Sequence, residues 1–540
     1  MKSKVILSLR VLSVLIIILL ATSLSFADRE NVAESLEKQL FRAKQELKDL
    51  DYKVIEELLQ EVKEGSNDTE EKIKEIKRLL IESLKVETRA IWLDSVSMDL
   101  LTSKEKIVEL MDLLSSVKVN LILADIFGNG HSVFPSQYAK QREAFYYFAK
   151  GDMLPIMIEE AHNRGIEFHG LASIFGVDSK GIQPFMDMDK LDWFDRTVDG
   201  SFLTGITEFE AFMSPVVPEV REFFLGIIKE MAQYDLDGIH LDYIRYGKNL
   251  GYHPLALDLY RKEGGNPDNL ANPKELEHFL AFKASFITSF VEEVKKEVQA
   301  INPRLLLSAA VASGLNYAKR ELGQDWKDWA DKKLLHFICH MCYTTTSDLY
   351  YGVIDSDTSP ISSLSISFPG IGLYAIDEFE MERQLEVGQN KPVAGQALFS
   401  AIHLNPQKAE ALKNGVYRDI AIPTFRDPQY AASRIIADLG RRLEILGLEI
   451  GIDPKLNTEL IESLTALAEK IFLPLRPFDN RDLQVGSEAE YEALKAILQD
   501  FKTLKKPLSK LPLPARKRAL NDLAKAERLV KVLFHYSKIE

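Results

Sequence analysis

Eight short β-rich runs, most of them separated by amphipathic helical segments, recur between Arg89 and about Thr424, and this alternation restricts the fold more than any other feature of the chain. The runs are Ala90 to Asp94, Asn120 to Ile126, Ile166 to Ala172, Gly238 to Tyr243, Leu305 to Val311, Leu335 to Tyr343, Ile371 to Tyr374 and Val393 to Phe399. Helical patterns cover Lys104 to Val117, Pro155 to Asn163, Pro218 to Tyr234, Pro273 to Ala300 and Gln324 to Lys332. Strands that alternate with helices pair in parallel, with the helices as crossovers. Eight such units predict an α/β fold of the (β/α)8 TIM-barrel class with inserted loops, in preference to an open doubly wound sheet. No Gly-x-Gly-x-x-Gly or Walker-type loop follows any run, so no nucleotide partner and no organic cofactor are expected.

The flanks are helical. Leu36, Leu40, Ala43, Leu47, Leu50 and Val54 recur in alternating steps of four and three, which paints one stripe on a helix. Gly65-Ser-Asn-Asp68 breaks it, and Ile73, Ile76, Leu80 and Leu84 start a second stripe, so residues 28–87 are expected to form a helical hairpin ahead of a barrel over 88–425. An all-α region over 426–540 follows, with helices predicted at Tyr430 to Leu446, Leu456 to Ile471, Ala489 to Lys502 and Ala515 to Tyr536. Both flanks are amphipathic, and the expectation is that they pack together as one module. Lys2, Lys4 and Arg10 precede the apolar run Val11 to Leu20, and Ser25-Phe-Ala27 offers small residues for cleavage. This pattern predicts a signal peptide over 1–27 and a periplasmic or secreted protein, touching a membrane only through an uncleaved leader.

Charge removes other classes of partner. Asp and Glu total 81 against 67 Lys and Arg, a net charge of −14, which lacks the basic footprint of a nucleic-acid or anionic-membrane binder. Two cysteines, Cys339 and Cys342, cannot build a disulfide framework or a four-thiolate zinc site. Their spacing falls inside a strand, where positions i and i+3 face opposite sides, so they read as buried small hydrophobes. His131, His169, His240 and His340 show no metal-ligand spacing, and no metal is expected.

Reacting groups in such barrels gather at the C-terminal ends of the strands. The strongest local signal there is Asp237-Gly-Ile-His240-Leu-Asp242-Tyr-Ile-Arg245-Tyr246. Strand alternation sends Ile239, Leu241 and Tyr243 toward the helices and His240 and Asp242 inward, with Asp242 nearest the rim. Arg245 stands close enough in sequence to bias its protonation. Asp237 before Gly238 reads as an ordinary turn into the strand.

This segment resembles the fourth-strand motif of the glycosyl hydrolase-like 10 family, bacterial extracytoplasmic barrels related to glycoside hydrolases. Other stretches agree in order and spacing. Arg89-Ala-Ile-Trp92 resembles the first strand, Phe134-Pro-Ser136 the loop after the second, and Glu160 to His169 the third helix and strand. Ser214-Pro215 with Pro218 to Arg221 resembles the entrance to the following helix. Met341-Cys-Tyr-Thr344, Gly370-Ile-Gly-Leu-Tyr374 and Gly395 to Ser400 resemble the last three strands. The chain departs from the family pattern where it carries Asp125 and Phe127 in place of Gln-x-Arg after strand two, Leu171 and Ser173 in place of Trp and Asn, and Cys342 in place of Asn. A chitinase-type catalytic Glu would fall at Ile244 and its partner Asp at Thr344, which argues against that chemistry.

The resemblance implies hydrolysis of a polysaccharide or oligosaccharide, a reaction that uses two carboxylates. Asp242 is expected to be the general acid or nucleophile, with Asp125 the best second carboxylate and Asp94, Glu208 and Asp377 weaker ones. His240 and Arg245 are expected to orient Asp242, while His169, Trp193, Tyr246, Tyr343 and Tyr374 line the pocket or hold sugar rings. A non-catalytic carbohydrate-binding or envelope scaffold protein on a degenerate barrel is the alternative.

Overall fold

In the computed structural model, which describes residues 26–65, 68–149, 151–178, 181–182, 185–186, 190–203, 211–472 and 488–537, the eight runs form a closed parallel barrel. Its strands are β1 Thr88–Leu93, β2 Leu121–Gly128, β3 Glu167–Ser173 and β4 Gly238–Asp242. They continue as β5 Leu306–Ala312, β6 Phe337–Met341, β7 Ile366–Gly372 and β8 Gly395–Phe399. β1 pairs with β2 on one side and with β8 on the other, which closes the ring. Alternation sorts the side chains into two cores. Ala90, Trp92, Leu121, Leu123, Phe337, Cys339, Ile366 and Phe368 pack along the barrel axis, while Ile91, Leu93, Ile122, Ile239, Leu241 and Ile338 pack under the helices.

The seventh strand begins five residues earlier than its sequence pattern suggests, and Tyr374 lies on a turn beyond its end, over Leu373–Ala375. Pro369 and Gly370 break the apolar run, but β6 and β8 offer backbone partners on both sides, and this tertiary pairing overrides local propensity. The N-terminal region differs too, being three helices, Phe26–Gln45, Tyr52–Glu64 and Thr69–Leu79, where a hairpin of two was expected. The first stripe is interrupted where Leu47 takes a φ of 54° and Asp51 caps the second helix by accepting the Val54 N–H. The stripe runs through the break because both Leu47 and Leu50 are buried, but against different partners.

The C-terminal helices span Pro428–Leu446, Pro454–Phe472, Glu488–Leu508 and Leu513–Ser537. They meet the N-terminal helices at Arg442, which donates to the Leu47 carbonyl at 3.1 Å and to Asp522 at 2.6 Å. The same helices, together with the segment that leads into them, cover the end of the barrel where the strands begin. Phe425 inserts against Phe337, Phe368 and His169, Arg426 pairs with Glu167 at the start of β3, and the Tyr536 hydroxyl donates to the Leu335 carbonyl. With that end plugged, the opposite end, ringed by the loops that follow the strands, is the one open to a ligand. Among the described residues no helix is long and apolar enough to cross a membrane. Residues 1–25, nearly all of the expected signal peptide, lie outside the described residues.

One buried carboxyl on the helix between β7 and β8 yields a stability prediction. Glu382, on the helix Glu378–Gln389, is buried, and its Oε1 has no hydrogen-bond partner. Burial, with Glu378 and Glu386 adding to it against the pull of Arg78, pushes this group up to about 7. A carboxyl raised on folding destabilises the native state progressively as pH climbs from its unfolded value toward that number. Glu382→Gln is therefore expected to gain about 1–3 kcal/mol at pH 8 and almost nothing at pH 4, measured by urea denaturation at both.

Candidate active site

Asp242 ends β4 with its side chain on the axis-facing side, half-buried. The strand stops there because Tyr243 adopts a φ of 47°, a left-handed backbone that costs roughly 1–3 kcal/mol in a residue other than glycine. Local hydrogen bonds hold that conformation in place. Asp242 Oδ1 accepts the Tyr243 N–H at 2.7 Å, the Tyr243 carbonyl accepts the Arg245 N–H at 2.8 Å, and the Asp242 carbonyl accepts the Ile174 N–H at 2.9 Å.

An aromatic wall stands beside this carboxylate. Tyr343, just past β6, stacks on Phe399 of β8 with ring centroids 5.2 Å apart and meets Trp92 of β1 edge-on. Tyr374 packs against Tyr343, Phe399 and His403. Space for the Tyr343 ring comes from two glycines. A Cβ on Gly370 would lie 3.0 Å from the ring, and one on Gly372 would lie 3.2 Å from the Tyr343 Cβ. Burial pushes the Tyr343 phenol and the Cys339 thiol well up, and the charge of Asp242 pushes both further. The carboxylate thus lies in electrostatic reach of both groups.

Asp125, on β2, is buried, and its Oδ1 accepts from Arg142 Nη2 at 2.7 Å. Gly128 makes room for the pair, since a Cβ there would come within 2.7 Å of Asp125 Oδ1 and 3.0 Å of Arg142 Nη2. Burial pushes the Asp125 carboxyl up against the pull of Arg142, with Asp99 and Asp94 adding to the rise. Asp125 aligns with Leu171, which aligns with His240, two residues before Asp242. Two strand spacings and a two-residue rise set the Asp125 and Asp242 backbones roughly 12 Å apart, before the inward side chains narrow the gap. The weaker candidates are occupied by local structure: Asp94 accepts from the Ser97 N–H and from the Ser400 hydroxyl, and Asp377 caps its helix by accepting the Glu380 N–H. Glu208 lies outside the described residues.

Four expected contact residues lie away from this mouth. His240 is fully buried one layer below Asp242. Burial, helped by His169, pushes its imidazole down to about 3, so the ring is neutral. Nε2 accepts from Trp92 Nε1 at 3.3 Å and Nδ1 donates to the Ser308 hydroxyl at 2.8 Å, leaving no ring nitrogen for a sugar or for Asp242. His169 lies at the plugged end against Phe337 and Phe425, because it is the third residue of its strand and Asp242 the last of its own. Trp193 is a loop anchor packed on Phe185 and Phe223. Tyr246 is buried where its ring meets Lys283 and Gly323, and no hydrogen-bond partner faces its hydroxyl. Arg245 lies over the Tyr243 ring at 4.8 Å, and its N–H donates to the Tyr243 carbonyl in the turn that follows Asp242. Tyr343 and Tyr374 do stand at the mouth.

Sequence reasoning missed Trp92, Phe399 and Arg142. Trp92 was legible as the inward aromatic nearest the end of β1, and the glycines of Gly370-Ile-Gly372, two apart on one face, announced an inward gap. Arg142 carried no local signal, because 16 residues separate it from Asp125 along the chain. Cys342 Sγ donates to Asp357 and, like Cys339, is buried. Among the described residues no group of three or more His, Cys, Asp or Glu is placed to hold a metal ion.

Glycosyl hydrolase YngK of Bacillus subtilis (strain 168) is 25% identical over 171 residues, which cover 29% of this chain and 32% of that protein, so the match spans about a third of the relative's length. Among solved structures, the PgaB (BpsB) glycoside hydrolase domain from Bordetella bronchiseptica is 13% identical, covers 61% of this chain and 99% of its own, and superposes with a TM-score of 0.48. The catalytic domain of beta-amylase from Paenibacillus polymyxa is 10% identical, covers 61% of this chain and 95% of its own, and gives a TM-score of 0.44. The family model described as Glycosyl hydrolase-like 10 matches residues 87–366, from the start of the barrel into its seventh strand and over more than half of the chain. By that match, and by the eight-stranded barrel that surrounds the Asp242 motif, the chain belongs to the glycosyl hydrolase-like 10 family.

Proposed function

We propose that the protein is an exported glycoside hydrolase that cleaves a bacterial polysaccharide, such as a peptidoglycan glycan strand or an exopolysaccharide, by carboxylate acid–base catalysis. The observation that carries this reading is a half-buried carboxylate at the mouth end of β4 beside an aromatic wall. Aromatic faces suit the C–H faces of sugar rings, and a carboxyl beside them can protonate a leaving oxygen or attack the anomeric carbon. Asp242 takes one of those two roles. Asp125 is its partner. The rise that burial imposes on its carboxyl suits a proton donor, and Arg142 fixes its orientation. Two inward carboxyls two strands apart leave room for a water between them. Tyr343 and Tyr374 hold sugar rings. Export is supported by the basic and apolar residues that open the chain.

The Asp125–Arg142 ion pair favours a second reading, a non-catalytic carbohydrate-binding or envelope scaffold protein, because a carboxylate held by a guanidinium is a poor proton donor. A panel of cell-wall and secreted glycans separates the two. The enzyme reading expects new reducing ends from at least one glycan. Binding without release supports the scaffold, and neither binding nor release overturns both.

A further inference from the structure

We propose that an arc of exposed aromatic and apolar side chains, running round the rim from β7 to β2, is a track for an extended glycan chain. It rests on the glycan reading above and adds that the protein grips a polymer well beyond the bond at Asp242. The arc follows four adjacent strands. Tyr374, 54% exposed, starts it beside His403. The next residue along, exposed Ile402, donates its N–H to the Ser97 hydroxyl at 3.1 Å, on the short helix that leads to exposed Leu100. Asp99 of that helix lies 3.8 Å from Arg142, whose carbonyl accepts the Tyr146 N–H at 2.9 Å. There Tyr146, Tyr147 and Phe148 are 63, 61 and 75% exposed in succession, while Phe145 of the same turn is buried and Ala144 and Ala149 pack against the core.

Tyr146 and Tyr147 meet edge-on with ring centroids 5.0 Å apart, yet all three consecutive aromatics stay mostly exposed to solvent, and patches of this kind mark binding surfaces. Their occupant is a glycan because the patch joins the candidate site directly, through the arginine that holds Asp125. Flat aromatic faces also suit pyranose rings, whose hydroxyl edges stay hydrated. The net charge of −14 opposes an anionic membrane or a nucleic acid on the same surface. Four strands of rim are long enough for several sugars in a row, so the track implies recognition of polymer interiors.

The test places Tyr146→Ala, Tyr147→Ala and Phe148→Ala together in the Asp242→Asn chain and measures retention on peptidoglycan glycan strands, on neutral exopolysaccharide and on tetrasaccharides cut from both. Polymer affinity is expected to fall about tenfold or more, and tetrasaccharide affinity less than about twofold. Equal polymer retention by parent and triple variant, with the parent binding well, overturns the track and leaves the glycan reading standing. A parent that binds none of these glycans overturns both. An equal loss on tetrasaccharides assigns the aromatics to the mouth itself and overturns the track. So does a triple variant that instead loses binding to anionic phospholipid vesicles, or loses self-association in light scattering. An unchanged melting temperature certifies the fold of the variant.

Discussion

Asp242→Asn is expected to slow glycan cleavage by about 10²–10⁴-fold with the fold and glycan binding retained. The carboxamide is isosteric, and its oxygen can still accept the Tyr243 N–H that turns the chain out of β4. What it lacks is chemistry, because it neither delivers a proton to a leaving oxygen nor attacks an anomeric carbon. The same change removes the charge that helps to hold the Tyr343 phenol up, while burial, the larger cause, persists. Reducing-end release is the measurement, and equal release by variant and parent would remove Asp242 from the mechanism. Retained binding by the variant distinguishes lost catalysis from a collapsed mouth.

Arg442→Ala is expected to destabilise the protein by about 3–5 kcal/mol, the usual result of stripping one partner from a buried ionic cluster. Arg442 and Asp522 are both buried, with Arg442 also bonded to the Leu47 carbonyl and paired with Asp438. Removing the guanidinium strips the buried Leu47 carbonyl of this donor and leaves the buried Asp522 carboxylate with Arg518 in place of two guanidinium partners, on the seam between the terminal helices. Burial works to raise the Asp522 carboxyl, but Arg518, Arg442 and Lys525 outweigh it and hold the group at about 2. A carboxyl lowered on folding contributes stability above its unfolded value, near 4, and loses it as pH falls toward 2. The variant should therefore lose stability at pH 7 and begin acid unfolding at higher pH. Urea denaturation monitored by circular dichroism reads both effects, and a loss under about 1 kcal/mol would mean that apolar packing alone joins the helices.

Much of this molecule is legible before folding. Seven of the eight strands lie close to where β-rich runs predict them, since strand periodicity is a property of consecutive residues. The seventh was displaced because Pro369 and Gly370 are unfavourable locally and tolerated only between two partner strands. The N-terminal stripe hid its own break, since Leu47 and Leu50 both face apolar surroundings on either side of a reversal in the chain. At the site, Asp242, Tyr343 and Tyr374 were readable from strand ends, whereas Trp193 and Tyr246 were read as sugar-facing and are buried. Their burial comes from Phe223 and Lys283, which lie on helices that sequence reading cannot bring to a loop.

What the order of residues determines by itself is direction. Side chains on a strand alternate because the backbone is pleated, so an inward Asp242 beside an outward Leu241 follows from β4 alone. What only the tertiary structure decides is depth and company. His240 and Asp242 share one face of one strand, yet one is sealed under Trp92 and Ser308 and the other reaches the mouth. Asp125 likewise became an ion pair only when a distant arginine folded back on it. Burial and pairing are sums over neighbours from the whole chain, and these long-range terms set the charge and reach of every candidate group.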